Sequence, residues 1–156
     1  MAPPTFTLRP YAEADEDAAI ELWRRTWQKH YPHIDFTARL PWWRERWRKE
    51  LVPVAKVVMA QDKSEIVGFV TVDPTNMYLD QLAVAPEYWG TGVALALLDE
   101  AKRISPSGLN LLVNKDNTRA IRFYEKHGFV YDGDDKNPVS GIAVNRMVWR
   151  ALGAST

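Results

Sequence analysis

Between residues 82 and 95 the chain reads Leu82-Ala-Val-Ala-Pro-Glu-Tyr-Trp-Gly-Thr-Gly-Val-Ala-Leu95. An apolar, strand-like run stops at Pro86, the chain turns, and two glycines precede a helical pattern. The start of a helix leaves several N–H groups without partners, and its dipole favours an anion there. Gly90 and Gly92 carry no Cβ, so a ligand can come close to their amides. A phosphate or pyrophosphate is the natural guest of such a turn. A dinucleotide fingerprint would need a third glycine where Leu95 stands, and no Gly-Lys-Ser/Thr occurs for a nucleoside-triphosphate loop. A Gly-x-Gly ahead of a helix is also what an ordinary strand-to-helix turn uses, and both readings stand at this point.

Other residues could carry proton chemistry. Asp80 is a charge inside an otherwise apolar strand. It is either a base, acting directly or through water, or a structural carboxylate paired with an arginine. Tyr124 shares a helical face with Ala120, Phe123 and His127, which periodicity alone reads as core. Asn117 stands where a helix N-cap is expected. His30 and His33, with Asp35 nearby, have a spacing that hints at a metal, but Pro32 breaks the helix between them, and no metal is expected. The chain has no cysteine, which removes disulfides, thiolate metal sites and a covalent cysteine mechanism.

The elements that must hold these residues follow from hydrophobic period. Phe6–Arg9 reads as a short strand. Asp15–Tyr31 reads as a helix with Ile20, Trp23, Trp27 and Tyr31 on one side and acidic residues in its first turn. Phe36–Leu51 reads as a second helix, striped by Leu40, Trp43, Trp47 and Leu51, with Pro41 in its first turn. The period then changes. Val54–Ala60 and Ile66–Val72 form a hairpin around a turn at 61–64, and Tyr78–Val84 is a further strand. Thr91–Ile104 is a helix with Val93, Leu97, Ala101 and Ile104 along one face. Leu109–Val113 is a strand, and Asn117–His127 a helix stopped by Gly128. Strands begin at Phe129–Tyr131 and end the chain at Arg146–Arg150, and the acidic segment Asp132–Pro138 between them reads as a loop that could cover the site or serve a dimer. The 156 residues suit one domain spanning 1–156.

The glycine segment resembles motif A of the GNAT superfamily, Gln/Arg-x-x-Gly-x-Gly/Ala. Gly92 and Ala94 match it, Gly90 is the glycine often found between, and Trp89 stands where the polar residue is usual. Asn117-Thr-Arg-Ala-Ile-Arg-Phe-Tyr-Glu-Lys-His-Gly-Phe129 resembles motif B, and Leu8-Arg-Pro-Tyr11 is similar to the family start. The resemblance implies an α/β (α+β) fold: a mixed, mostly antiparallel sheet of six to seven strands flanked by four helices and splayed between strands 78–84 and 109–113. It implies acetyl-CoA as co-substrate, held in that splay. The main chain of Trp89, Gly90, Thr91, Gly92, Val93, Ala94 and Leu95 would hold the pyrophosphate. The backbone of Leu82, Ala83 and Val84 would pair with the pantetheine arm, and Asn117 would bond it. An amide near Leu82 would face the thioester carbonyl and stabilise the oxyanion of a tetrahedral intermediate. Tyr124 occupies the position whose hydroxyl sits near the sulfur, as general acid.

The two helices after the first strand would wall the acceptor side. They hold five of the seven tryptophans, and Trp27, Tyr31 and Tyr78 are the candidates for substrate contact. Trp42 falls off its helix's apolar stripe. The basic run Arg39–Lys49 is offset by Glu45 and Glu50 and reads as a solvated face.

The implied function is transfer of an acetyl group to a primary amine of a small molecule or peptide. Two alternatives stand beside it: a non-catalytic acyl-CoA-binding regulatory module, and a tryptophan-rich protein-interaction domain. Twenty basic and twenty acidic residues balance to zero, so broad nucleic-acid binding is not expected. No apolar run reaches the roughly 18 residues of a membrane span, no secretory signal opens the sequence, and a cytoplasmic protein that could pair as a homodimer is expected.

Overall fold

The computed structural model describes residues 5–137 and 140–151. Seven strands form one sheet in the order β1-β2-β3-β4-β5-β7-β6. They are β1 (Thr7–Pro10), β2 (Lys56–Asp62), β3 (Glu65–Asp73), β4 (Tyr78–Val84), β5 (Gly108–Asn114), β6 (Val130–Lys136) and β7 (Ala143–Arg150). Four α-helices cover it: α1 (Glu16–His30), α2 (Leu40–Arg46), α3 (Val93–Ile104) and α4 (Thr118–Lys126). This is the mixed, mostly antiparallel architecture that the sequence led us to expect.

Two apolar layers hold the sheet. On one face, Val93, Leu97, Leu98 and Ala101 of α3 and Tyr124 of α4 pack with Leu109, Leu111, Phe129 and Met147. On the other, Ile20 and Trp23 of α1 and Trp43 of α2 pack with Trp47, Met59, Phe69 and Ala83. Trp23 and Trp43 stack with ring centroids 4.6 Å apart. Trp23, Trp43 and Trp47 of the two stripes are therefore core, Trp27 is only partly buried, and Trp42 is 42% exposed.

Every strand pair is antiparallel except β4 and β5. Those two run parallel and are in register at one position, Tyr78 with Asn110. Past that rung they part, which produces the splay. Gly68 on β3 lets α3 settle against the sheet: a Cβ there would stand 2.9 Å from Leu97 Cδ1 and 3.1 Å from Val93 Cγ1. Close packing thus fixes the start of α3 above the end of β4.

Two elements differ from expectation. The segment 36–51 is a 3₁₀ turn (Thr37–Arg39), the short α2, and a wider π turn (Trp47–Leu51). The acidic segment 132–136 is strand rather than loop, and Pro138 lies outside the described residues. Aspartate is a poor strand former, but β7 supplies a ladder, with a register shift between Tyr131 and Asp134. Basic partners answer the acids: Arg146 bonds Asp135 at 2.6 Å, and Lys115 pairs with Asp134. Among the described residues no helix is long and apolar enough to cross a membrane.

Candidate active site

The turn between β4 and α3 is built by its glycines. Gly90 (φ 78°) and Gly92 (φ 93°) both sit in the left-handed region that a side chain disfavours. A Cβ built on either would meet no atom within 4 Å, so open space adjoins both. The amide of Trp89 donates to Pro86 O at 3.2 Å and that of Thr91 to Tyr88 O at 3.3 Å. The first helical bond runs from Ala96 N to Gly92 O. The amides of Gly90, Gly92, Val93, Ala94 and Leu95 therefore have no acceptor among the described residues. Five unpaired donors around two bare α-carbons make an anion cradle.

The edge of β4 leads to this cradle. Gln81 N donates to Thr71 Oγ1 at 3.0 Å and Ala85 N to Val67 O at 2.8 Å, so both face β3. Strand alternation turns Ala83 the same way and aims the main chain of Leu82 and Val84 into the splay. No β5 residue is in register with either. Asp80 is the extra residue of a β-bulge, since Thr71 opposes Gln81 and Val72 opposes Leu79. Its carboxylate is gripped by Arg46, with Nη2–Oδ2 at 2.7 Å and Nη1–Oδ1 at 3.2 Å. Gln81 Nε2 adds a bond to Oδ1 at 3.0 Å.

Tyr124 enters from α4. Its ring packs on Phe123 and Phe129 with centroids 5.4 and 5.3 Å away. Its hydroxyl has no hydrogen-bond partner among the described residues, and burial pushes its phenol well above the ordinary range. Asn117 caps α4, with Oδ1 accepting from Ala120 N at 3.2 Å. Near the closed end of the splay, Tyr78, Asn110, Leu112, Asp135 and Arg146 line a cavity of about 400 Å³. Burial, reinforced by Asp80, pushes the Tyr78 phenol up to about 12.

The end of α1 reaches across the opening. Tyr31 donates to Asp116 Oδ1 at 2.8 Å and accepts from Asn114 Nδ2 at 2.9 Å. Trp27 stacks on Tyr31, centroids 5.8 Å apart. The structure therefore joins Trp27 and Tyr31 to the β5 side of the splay.

Residues 16–129 match the acetyltransferase (GNAT) family. The chain belongs to this family. Among its relatives is a peptidyl-lysine N-acetyltransferase, YjaB, of Salmonella typhimurium, 29% identical over 129 residues that cover 82% of this chain and 86% of that protein. Two solved structures share the fold at low identity. One is a GCN5-related N-acetyltransferase from Rhodopseudomonas palustris (TM-score 0.76, 19% identity, 96% of this chain and 98% of that one). The other is the PaiA N-acetyltransferase of Thermoplasma acidophilum in complex with coenzyme A (TM-score 0.74, 21% identity, 94% and 99%).

This GNAT acetyltransferase is thus an acetyl-CoA-dependent acyltransferase by descent. Its cradle fits the diphosphate of that co-substrate: five free donors and open space beside Gly90 and Gly92. No group of three or more His, Cys, Asp or Glu side chains able to hold a metal occurs among the described residues. Sequence reasoning missed Arg46 as the partner of Asp80, because it lay inside a charge run. It also missed Asn114 and Asp116. Asn114 and Asp116 flank the end of β5, where polar residues read as turn, and only the tertiary contact with α1 distinguishes them.

Proposed function

We propose that this acetyltransferase transfers the acetyl group to a primary amine of a peptide or small molecule by direct attack. The observation that carries the reading is the set of unpaired amides at Gly90, Gly92, Val93, Ala94 and Leu95, continued by the splay-facing main chain of Leu82 and Val84. Together they offer an anion grip and an extended, strand-like edge. Acetyl-CoA supplies the activated thioester carbonyl. The amide of Leu82 would then stand as the donor for negative charge building on a carbonyl oxygen.

Tyr124 fits the role of general acid. A buried phenol raised above its usual range stays protonated at neutral pH, and a hydroxyl with no partner among the described residues can donate outward. Asp80 is held at both oxygens by Arg46, so its geometry supports ion pairing, and proton acceptance would require that pair to open. The amine proton then leaves through water. Tyr78, Trp27 and Tyr31 are the proposed acceptor contacts. A YjaB relative named for peptidyl lysine makes a lysine side chain the first acceptor to try. A cytoplasmic setting belongs to the same proposal.

The test is calorimetry with coenzyme A, followed by thiol release from acetyl-CoA with a panel of lysine peptides and small amines. Binding together with amine-dependent release is expected. Binding with no transfer to any amine would overturn the catalytic reading in favour of a regulatory module.

A further inference from the structure

The outer carbonyl on the open edge of β4 is already engaged. Trp89 Nε1 donates to Val84 O at 2.8 Å. The same indole is covered by Arg119, whose guanidinium carbon lies 4.6 Å from the ring centroid. His30 flanks it, with ring centroids 5.0 Å apart. Trp89 belongs to the loop that follows β4, and Arg119 to the first turn of α4, beyond β5. The indole therefore joins the two walls of the splay at its wide end. Arg119 makes no ion pair or hydrogen bond with any other described residue, so the ring face is the contact that holds it.

This arrangement matters because Leu82 and Val84 carry the main-chain groups that face the splay. An extended arm pairing with that edge needs the carbonyl that the indole occupies. We propose that Trp89 gates the arm-binding edge: its N–H occupies Val84 O and must withdraw for a pantetheine-like arm to take that place. The inference rests on the acyltransferase reading and adds to it a residue that tunes co-substrate affinity. The self-contact competes with binding, and its re-formation helps to expel the spent arm. One net hydrogen bond forfeited on binding corresponds to roughly two- to tenfold in affinity.

Trp89→Phe keeps an aromatic face for Arg119 and removes the donor. Calorimetry with coenzyme A is expected to give binding roughly two- to tenfold tighter than wild type. Equal or weaker binding overturns the gate. A second measurement uses the wild-type protein labelled with ¹⁵N. The indole N–H resonance of Trp89, assigned by sequential experiments or by its absence from W89F, should be protected from solvent exchange. It should shift and lose protection at saturating coenzyme A. A resonance unmoved at saturation overturns the gate even where the variant fails to fold. Should neither protein bind coenzyme A in any form, the acyltransferase reading itself falls. Wild-type binding with an undisturbed indole removes the gate alone.

Discussion

Arg46 holds both carboxylate oxygens of Asp80, joining α2 to the bulge of β4. Both side chains are largely buried, at 19% and 14% exposure, so Asp80 relies on Arg46 for compensation, while Arg46 also lies 3.7 Å from Glu50. Breaking such a pair from one side leaves an unpaired charge and costs about 3 kcal/mol. Arg46→Met should lower stability by that order in urea unfolding. Asp80→Asn should leave the rate of acetyl transfer close to wild type, because the native carboxylate is engaged by Arg46 and Gln81. A large loss of turnover in folded D80N would instead make Asp80 the base.

Tyr124 offers a hydroxyl without a hydrogen-bond partner among the described residues. Tyr124→Phe removes one oxygen and keeps the ring packing on Phe123 and Phe129. General-acid catalysis contributes about 10²–10⁴-fold. The variant should lose turnover at the lower end of that range while its calorimetric affinity for coenzyme A stays close to wild type. Full turnover in Y124F would remove the assignment.

Gly92 stands at φ 93° beside open space, so a side chain there meets strain rather than collision. Gly92→Ala should cost about 1–2 kcal/mol, the price of the left-handed conformation for an L-residue. The methyl group would also project beside the unpaired amides. Affinity for coenzyme A should fall by roughly tenfold, equivalent to one charge-assisted hydrogen bond. Thermal melts and calorimetry separate the two effects.

Asp15 makes two bonds with Arg9, at 2.7 and 2.8 Å, and accepts from Ala12 N at 2.8 Å. The Arg9 bonds hold its carboxyl below the usual range against the opposing effect of burial. A depressed folded value means that the stabilisation is complete above the unfolded value of about 3.9 and is lost as pH falls through the folded one. Asp15→Asn should therefore cost about 1–3 kcal/mol at neutral pH. Its gap from wild type should shrink as urea titrations are repeated below about pH 4.

Local patterns made much of this fold legible. Tyr78–Val84 has the bounds expected of it, because an apolar run meets Pro86 and leaves no alternative. The cap at Asn117 was equally readable, and the helix expected from Thr91 starts at Val93 after Gly92, since caps and left-handed turns depend on neighbouring residues. The strand at Asp132–Lys136 was not, because its stability comes from β7 and from basic residues distant in sequence. The bulge at Asp80 depends on register with β3. Trp89 shows the limit most clearly. Its type marked a missing polar side chain, yet its N–H found Val84 O and its face found Arg119, and neither contact has a signature in spacing.

One rung between β4 and β5 divides the sheet mechanically. Asn110 is its rivet, with its main-chain N–H and its side-chain amide both donating to Met77 O at 2.8 Å. Strands β1 to β4 form one blade and β5, β7 and β6 the other, so the angle between them rests on α3 lying across both and on the Tyr31 and Trp89 contacts rather than on ladder bonds. Substitutions on the buried side of α3, such as at Leu97 or Leu98, can therefore retune how widely the blades stand apart without touching a reacting group.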